Sequence, residues 1–125
     1  MLDGEIDIAL GGNKCQGTIF FSDIIGFTGM SEEMSPEQVI QTMNDYFAHM
    51  VPCVERTGGA IDKFVGDAIM AFWNAPVDVP NHPRIGCEAA IKMMIALEVL
   101  NRELIGSGRI SEPLKIGIGL NTGEV

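Results

Sequence analysis

Two aspartates stand at comparable positions in two apolar stretches of the 125-residue sequence. Asp23 follows the run TIFFS and precedes IIGFT, and Asp67 follows the run FVG and precedes AIMAF. The first stretch is typical of a buried strand that carries a carboxylate at its end, and the second of two strands joined by a tight Gly66-Asp67 turn. If these strands are neighbours, the two carboxylates converge at one edge of a sheet.

Converging carboxylates are suited to binding a divalent cation. Two unpaired carboxylates at close range repel each other, and a cation relieves that repulsion. Hard oxygen ligands favour Mg²⁺ or Mn²⁺, and a site with few protein ligands leaves coordination positions for phosphate oxygens. Two such ions about 4 Å apart could bind both the attacking and the leaving oxygen of a phosphoryl or nucleotidyl transfer. The amides of Ile25, Gly26, Phe27 and Thr28 could then face a polyphosphate.

Each of these residues also has an ordinary structural explanation. An Asp after a strand is most often a turn former or a helix cap, and an Asp in a Gly-Asp hairpin most often serves the turn. Lys63 on a strand is ordinarily a solvated side chain, and His49 and His82 are isolated in the sequence, so neither histidine is assigned a role. The residue pattern by itself therefore indicates an α+β domain with a candidate metal site.

The first half of the chain predicts a strand, a turn and a helix. Residues 16–23 form a nearly continuous apolar run, which predicts a strand buried on both faces, and residues 26–34 predict a turn region with one helical turn. Ser35, Pro36 and Gln38 match a capping box at a helix start, Pro52 predicts a kink or a weakened turn, and glycines at 58–59 end the helix. The predicted inner face of this helix consists of Val39, Met43, Phe47, Met50 and Val54.

The second half predicts a hairpin over 60–65 and 68–73, a loop over 74–83, a helix over 84–105 and a strand over 114–121. Another strand could begin at residues 122–125. Gly117 and Gly119 alternate with apolar residues in the strand and leave room on one face for a close neighbour. The predicted inner face of the helix consists of Gly86, Ala90, Met93, Leu97, Leu100 and Leu104.

The predicted order of elements is β, α, β, β, α, β. Two amphipathic helices on a sheet of four strands predict an α+β fold, a ferredoxin-like two-layer sandwich. Residues 1–13 are interpreted as a linker or entry segment, and residues 14–125 as the domain.

The composition of the chain disfavours nucleic acid and anionic lipid as partners. The net charge is −9, which disfavours binding to nucleic acid or to anionic lipid, although a bound divalent cation would still allow a small phosphate ligand. Cys15, Cys53 and Cys87 have no C-x-x-C spacing, which favours reduced thiols over a zinc site or disulfides. The sequence contains no signal peptide and no apolar run long enough to cross a bilayer. We therefore expect a cytoplasmic segment without membrane contact. This segment could also be the cytosolic part of a larger or membrane-attached protein.

Two long motifs resemble those of the class III nucleotidyl cyclases, the adenylate and guanylate cyclases. The segment FSDIIGFT at 21–28 resembles the first metal motif of that family, and GGAIDKFVGDAIMAF at 58–72 resembles the second. The segment IGIGLNTGEV at 116–125 resembles the next strand and turn. The resemblance runs from about Lys14 onward, so residues 14–125 would be the N-terminal portion of a cyclase catalytic domain whose C-terminal strands are missing from this chain.

The resemblance implies a metal-dependent reaction. Two Mg²⁺ or Mn²⁺ ions per active site would be bound by Asp23, Asp67 and the backbone carbonyl of Ile24. Phe27 and Thr28 would lie along the triphosphate. The ribose 3′-hydroxyl would attack the α-phosphate in line and release pyrophosphate and a 3′,5′-cyclic nucleotide.

The resemblance also implies a substrate and a partner. Lys63 matches the purine-selecting position, where adenylyl cyclases of the family carry Lys and guanylyl cyclases typically carry Glu. A Lys can donate a hydrogen bond to adenine N1, whereas the guanine N1–H prefers a carboxylate, so Lys63 favours ATP. Because active sites of the family form between two catalytic domains, Lys63 would serve the metal pair of a second domain in a head-to-tail homodimer.

Several family residues would follow Val125: the second purine-selecting residue, an Asn that orients the ribose, an Arg that stabilises transition-state charge and a Lys for the terminal phosphates. Each lost transition-state donor commonly costs about 10²–10³-fold in rate, so we expect little or no cyclase activity from this chain alone. The alternatives are a cyclase-like module that binds nucleotide or regulates without catalysis, and a guanylyl cyclase. Regulatory domains are expected in the full-length protein.

Overall fold

The computed structural model describes residues 16–74 and 78–124. Its elements in chain order are β1 (Gln16–Ile24), α1 (Phe27–Ser31), α2 (Pro36–Glu55), β2 (Ala60–Val65), β3 (Ala68–Trp73), α3 (His82–Gly106) and β4 (Ile116–Glu124). The predicted entry segment 1–13 lies outside the described residues, as do Cys15 and Pro76.

The four strands form one antiparallel sheet in the order β2-β3-β1-β4. Helices α2 and α3 contact each other and pack on the sheet, where they cover one of its faces. The predicted ferredoxin-like α+β sandwich is therefore confirmed. β1 is an inner strand, and in its middle Phe20 stands opposite Ala71 of β3 and Leu120 of β4.

β1 is buried on one face only, so the prediction that both faces are buried is wrong. Ile19 and Phe21 are 42% and 43% exposed on the face away from the helices. The apolar run is continuous because both faces carry apolar side chains, and continuity alone does not show whether a second layer covers the outer face. The inward side chains are those of Thr18, Phe20, Ser22 and Ile24.

α2 begins as predicted. Ser35 accepts a hydrogen bond from the amide of Gln38, and the Gln38 side chain accepts one from the amide of Ser35, which completes the capping box. The helix continues through Pro52 to Glu55. Its fully buried residues are Thr42, Tyr46, Met50 and Val54. The last two were predicted, whereas Thr42 and Tyr46 occupy the buried positions at which apolar residues were expected. Val39, Met43 and Phe47 are partly buried beside them.

α3 begins two residues earlier than predicted, so Pro83 lies in its first turn, where a proline is well tolerated. Ala89 is buried in place of the predicted Ala90, and the other five predicted inner positions are confirmed. Gly86 allows a close approach to β1, because a methyl group added there would lie 2.9 Å from the Cγ2 of Thr18.

The core lies between the helices and the inner face of the sheet. Trp73, at the end of β3, is fully buried, and its ring packs edge-on against Phe20 with 6.0 Å between the ring centroids. Its indole N–H donates to the hydroxyl of Thr57, which satisfies the one polar atom of the side chain. Truncating a core aromatic residue typically costs about 3–5 kcal/mol, so the burial of Trp73 contributes substantially to stability.

β4 starts at Ile116 and runs to Glu124 without a break. The prediction of a new strand at residues 122–125 is therefore wrong over its described part, because Thr122 and Gly123 continue the pairing of β4 with β1. Leu114 is buried just before the strand. None of the helices in the described part of the chain is long and apolar enough to span a membrane.

Candidate functional site

Asp23 occupies the next-to-last position of β1, on the face of the sheet that the helices leave open. Its side chain is exposed, and its partner across the strand pair is Gly117 of β4. A methyl group added to Gly117 would lie 3.4 Å from Oδ1 of Asp23, so the glycine leaves one side of the carboxylate uncovered. Gly117 therefore agrees with the prediction that glycines of β4 leave room on one face for a close neighbour.

Asp67 lies in the turn between β2 and β3, where Gly66 has a positive φ of 61°, a left-handed conformation that glycine adopts without steric cost. One carboxylate oxygen, Oδ2, accepts a hydrogen bond of 2.7 Å from the amide of Ile24 at the end of β1. This bond joins the turn of the hairpin to the residue that follows Asp23, so the Asp67 carboxylate lies at the same end of β1 as Asp23. The bond also gives Asp67 a structural role beside any role in metal binding.

The donor set at this edge fits a hard divalent cation held by few protein ligands. It comprises the carboxylates of Asp23 and Asp67 with the backbone carbonyl of Ile24 nearby. Among residues 16–74 and 78–124, no group of three or more His, Cys, Asp or Glu side chains could hold a metal ion. Any ion bound by these two carboxylates would therefore depend on oxygen atoms from elsewhere, such as water or substrate phosphates.

The prediction that the Ile25 amide faces phosphate is wrong, because the turn after β1 gives that amide another partner. The amide of Ile25 donates a 2.8 Å hydrogen bond to the carbonyl of Lys115, so it is not free to bind phosphate. Gly26 has a left-handed conformation with φ 70°, and α1 begins directly after it at Phe27 without a side-chain cap. The first amides of a helix have no partner within the helix, so the amides of Phe27 and Thr28 fit the predicted role better than that of Ile25.

Lys63 lies on β2 opposite Met70 of β3, and Met70 in turn stands opposite Phe21 of β1. Pairing across neighbouring strands places these side chains on the same face of the sheet, which is the open face that also carries Asp23. The Lys63 ammonium lies 3.8 Å from the carboxylate of Asp62, and both side chains are about half exposed. Such an exposed pair contributes little to stability, so Lys63 is available to another partner.

The open face of the sheet is apolar around these charged groups. Ile19 and Phe21 are exposed on β1, and Met70 and Phe72 are partly exposed on β3. Their pairing across the two strands makes the patch continuous. We name Ile19, Phe21, Met70 and Phe72 the open-face patch.

Three residues behind the carboxylate edge were not identified from the sequence. Ser22, Thr42 and Tyr46 are fully buried on the inner side of the sheet, and their hydroxyl groups have no hydrogen-bond partner among the described residues. The pKa of Tyr46 is raised to about 12, chiefly by burial; the nearby Ser22 hydroxyl lowers it, and the carboxylates of Asp67 and Asp23 raise it. The spacing of Thr42 and Tyr46, one helical turn apart and in phase with Met50 and Val54, was the available signal.

His82, to which no role was assigned, has a structural one. Its Nδ1 lies 2.7 Å from the hydroxyl of Thr18, and that hydroxyl lies 2.9 Å from the hydroxyl of Thr122. These contacts tie the start of α3 to β1 and β4 at the end of the sheet opposite Asp23.

Comparison with known proteins places these features in a family. The sequence matches the adenylate and guanylate cyclase catalytic domain over residues 13–125. An adenylate cyclase of Anabaena cylindrica is 41% identical over 111 residues, which is 86% of this chain and 21% of that protein.

Two crystal structures show the same fold. The adenylyl cyclase CyaB from P. aeruginosa superposes with a TM-score of 0.84 at 36% identity, over 90% of this chain and 58% of that one. The guanylyl cyclase Cya2 has the same TM-score at 37% identity, over 90% of this chain and 56% of that one. The chain thus spans somewhat more than half of each solved structure, and the two are equally similar to it although they are named for different nucleotides. The sequence match and the fold agree, and the chain belongs to the family of adenylate and guanylate cyclase catalytic domains.

Proposed function

We propose that this chain is the metal-binding, N-terminal portion of an adenylyl cyclase catalytic domain, which converts ATP to 3′,5′-cyclic AMP and pyrophosphate. The observation that supports this most directly is the hydrogen bond from the amide of Ile24 to Oδ2 of Asp67. It holds the second carboxylate beside the strand end that carries Asp23. Two aspartates from separate parts of the chain thus come to one edge of the sheet.

Asp23, Asp67 and the carbonyl of Ile24 would hold two Mg²⁺ or Mn²⁺ ions. When bound, such ions neutralise phosphate charge and act as Lewis acids in nucleotidyl transfer. The Ile24 amide fixes Asp67 through one oxygen and leaves the other oxygen free of that bond. Asp23 is exposed, and Gly117 opposite it carries no side chain that could cover the carboxylate, which leaves room there for a ligand.

The residues after β1 would bind the triphosphate. The amides of Phe27 and Thr28 at the start of α1, with Gly26 before them, present hydrogen-bond donors next to the carboxylate edge. Their role is to orient the phosphate chain so that the ribose 3′-hydroxyl can attack the α-phosphate in line. Holding the reacting groups in this way accounts for much of the rate acceleration of such transfers.

Lys63 supports ATP as the nucleotide. It lies on the open face, where a second domain could bring its own carboxylate edge within reach. An ammonium donates to the adenine N1 acceptor, and it opposes the N1–H donor of guanine. The change Lys63→Glu should therefore reverse this preference, and competition binding of Mn²⁺ complexes of ATP and GTP would measure it. Asp62→Asn, which removes the neighbouring charge but keeps Lys63, is the matched control.

A second catalytic domain is the proposed partner, in a head-to-tail homodimer. The open-face patch supports this, because a continuous apolar surface beside a binding site is typical of a protein interface. Regulatory domains in the full-length protein remain part of the proposal. We also propose that the 125-residue chain has little cyclase activity by itself.

The test is cyclic AMP formation in the presence of Mn²⁺ by this chain and by a chimaera in which it replaces the matching part of P. aeruginosa CyaB. The chimaera should convert ATP, and Asp23→Ala or Asp67→Ala should abolish turnover while circular dichroism shows a retained fold. A folded chimaera that binds Mn²⁺ and ATP without turnover would instead indicate a non-catalytic module. Preferential conversion of GTP would indicate a guanylyl cyclase.

A further inference from the structure

Three hydroxyl-bearing side chains are fully buried in the layer between α2 and the inner face of the sheet. Thr42 and Tyr46 are one turn apart on the buried face of α2, and the hydroxyl of Tyr46 lies close enough to that of Ser22 to interact with it. All three side chains are 0% exposed, and their hydroxyl groups have no hydrogen-bond partner among the described residues. We name Ser22, Thr42 and Tyr46 the hydroxyl cluster.

Such a cluster is costly unless its members bond to one another. A buried hydroxyl without a partner loses its bonds to water and gains none in return, and folded proteins contain few of them. A hydroxyl hydrogen rotates freely about its C–O bond, and each hydroxyl can both donate and accept. Ser22 and Tyr46 can therefore each donate to, or accept from, the other, whereas apolar side chains at these positions would need no partner.

The cluster lies directly behind the proposed metal site. The Ser22 side chain points inward from the same stretch of β1 from which the Asp23 side chain points outward, because successive residues of a strand face opposite sides. The next residue, Ile24, donates its amide to Asp67. Fixing Ser22 from α2 therefore fixes the peptide groups that carry Asp23 and that bond to Asp67.

We infer that the hydroxyl cluster is a hydrogen-bonded network, and that Tyr46 acts through Ser22 as a positioning residue for the carboxylate edge. The network joins α2 to the end of β1 and holds Asp23 and the Ile24 amide in the arrangement that faces Asp67. Its members lie on the inner side of the sheet, away from the open face that carries Asp23. That the network holds the end of β1 does not depend on the proposed function. That it thereby positions a metal site rests on the proposed function.

The experiment compares Tyr46→Phe, Ser22→Ala and the double variant with the parent chain. The control is Thr18→Val, which also removes a fully buried hydroxyl from β1 but at the opposite end of the strand. Hydrogen exchange of the Ile24 amide, followed by NMR, reports the bond to Asp67 directly. Mn²⁺ affinity in the presence of ATP, measured by electron paramagnetic resonance, reports the metal site.

Tyr46→Phe should speed exchange of the Ile24 amide about tenfold beyond any change in the slowest core amides, which corresponds to the loss of about one buried hydrogen bond. It should also weaken Mn²⁺ binding severalfold. Adding Ser22→Ala should cause little further loss, because members of one network are not additive. Thr18→Val should leave both readouts at the parental values after correction for global stability.

Three results would overturn the inference. A Tyr46→Phe chain that is more stable than the parent, with unchanged Ile24 exchange, would show that the hydroxyl has no partner. An equal response to Thr18→Val would show that the effect is not local. Faster Ile24 exchange with unchanged Mn²⁺ affinity would refute the positioning role. If the parent shows no Mn²⁺ binding that depends on Asp67, the metal site of the proposed function fails, and Ile24 exchange still decides whether the network holds the strand end.

Discussion

Replacing Asp67 by Asn and by Ala separates its structural role from its role in metal binding. The Asp67 carboxylate accepts a partly buried hydrogen bond from the Ile24 amide. An Asn side chain keeps a carbonyl oxygen in the same place and can still accept that bond, whereas Ala cannot. Only the carboxylate can serve as a strong anionic ligand for Mg²⁺ or Mn²⁺.

The magnitudes follow from the type of bond. A hydrogen bond to a charged group contributes about 1.5–3 kcal/mol, and partial exposure of Asp67 reduces this to about 1–2 kcal/mol for Asp67→Ala. A neutral acceptor is roughly half as strong, so Asp67→Asn should lower the free energy of unfolding by only about 0.5–1 kcal/mol. Mn²⁺ affinity should fall in both variants by more than the roughly 10–100-fold that the loss of an outer-shell partner costs.

Urea unfolding followed by the fluorescence of Trp73, the single tryptophan of the chain, measures stability, and electron paramagnetic resonance measures Mn²⁺ binding. Asp62→Asn is the control, because Asp62 is an exposed carboxylate of the same hairpin and should affect neither readout. Parental Mn²⁺ affinity in Asp67→Asn would refute the metal assignment. Equal stability of the parent and Asp67→Ala would refute the bond to Ile24.

Two further predictions concern stability. Gly59→Ala would place a methyl group 2.6 Å from the indole of Trp73 and 2.9 Å from Val54, so we expect a loss of about 1–3 kcal/mol in urea unfolding, with Gly106→Ala, which meets nothing within 4 Å, as the unaffected control. Tyr46 has a pKa of about 12 against 10.0 for an unburied phenol, so its contribution to stability is fully present below pH 10 and is lost as the pH rises towards 12. Relative to Tyr46→Phe, the unfolding equilibrium constant of the parent should rise by up to about 100-fold across that window, and parallel pH profiles of the two chains would contradict the burial of the phenol.

The sequence predicts the elements that have strong local signals. The capping box at Ser35 and Gln38 and the turn at Gly66 depend on neighbouring residues alone, and both are confirmed. The extent of β4 was underestimated because its last residues are polar or glycine, and they are held in the strand by pairing with β1 rather than by a pattern of their own.

The sequence points to two carboxylates of the candidate site, and their roles stay a prediction; the contacts around them could not be predicted. The engagement of the Ile25 amide by Lys115 depends on where two distant segments meet, and no local pattern encodes that. The hydroxyl cluster was missed for a similar reason. Apolar periodicity ranks Met43 and Phe47 above Thr42 and Tyr46 as core residues, whereas helix packing buried the latter pair.

The position of β1 in the sheet makes the two proposed ligands mechanically unequal. Asp23 belongs to a strand with a neighbour on each side: it pairs with Gly117 of β4, and the residue before it, Ser22, pairs with β3 as well as β4, so its backbone is held by the sheet. Asp67 belongs to a turn beyond the edge strand β2, whose pairing is already irregular between Ile61 and Lys63. Any adjustment to the size of a bound ion would therefore fall on the hairpin. The site thus has a rigid side at Asp23 and a more flexible side at Asp67. The hydrogen bond between Ile24 and Asp67 limits how far the flexible side can move.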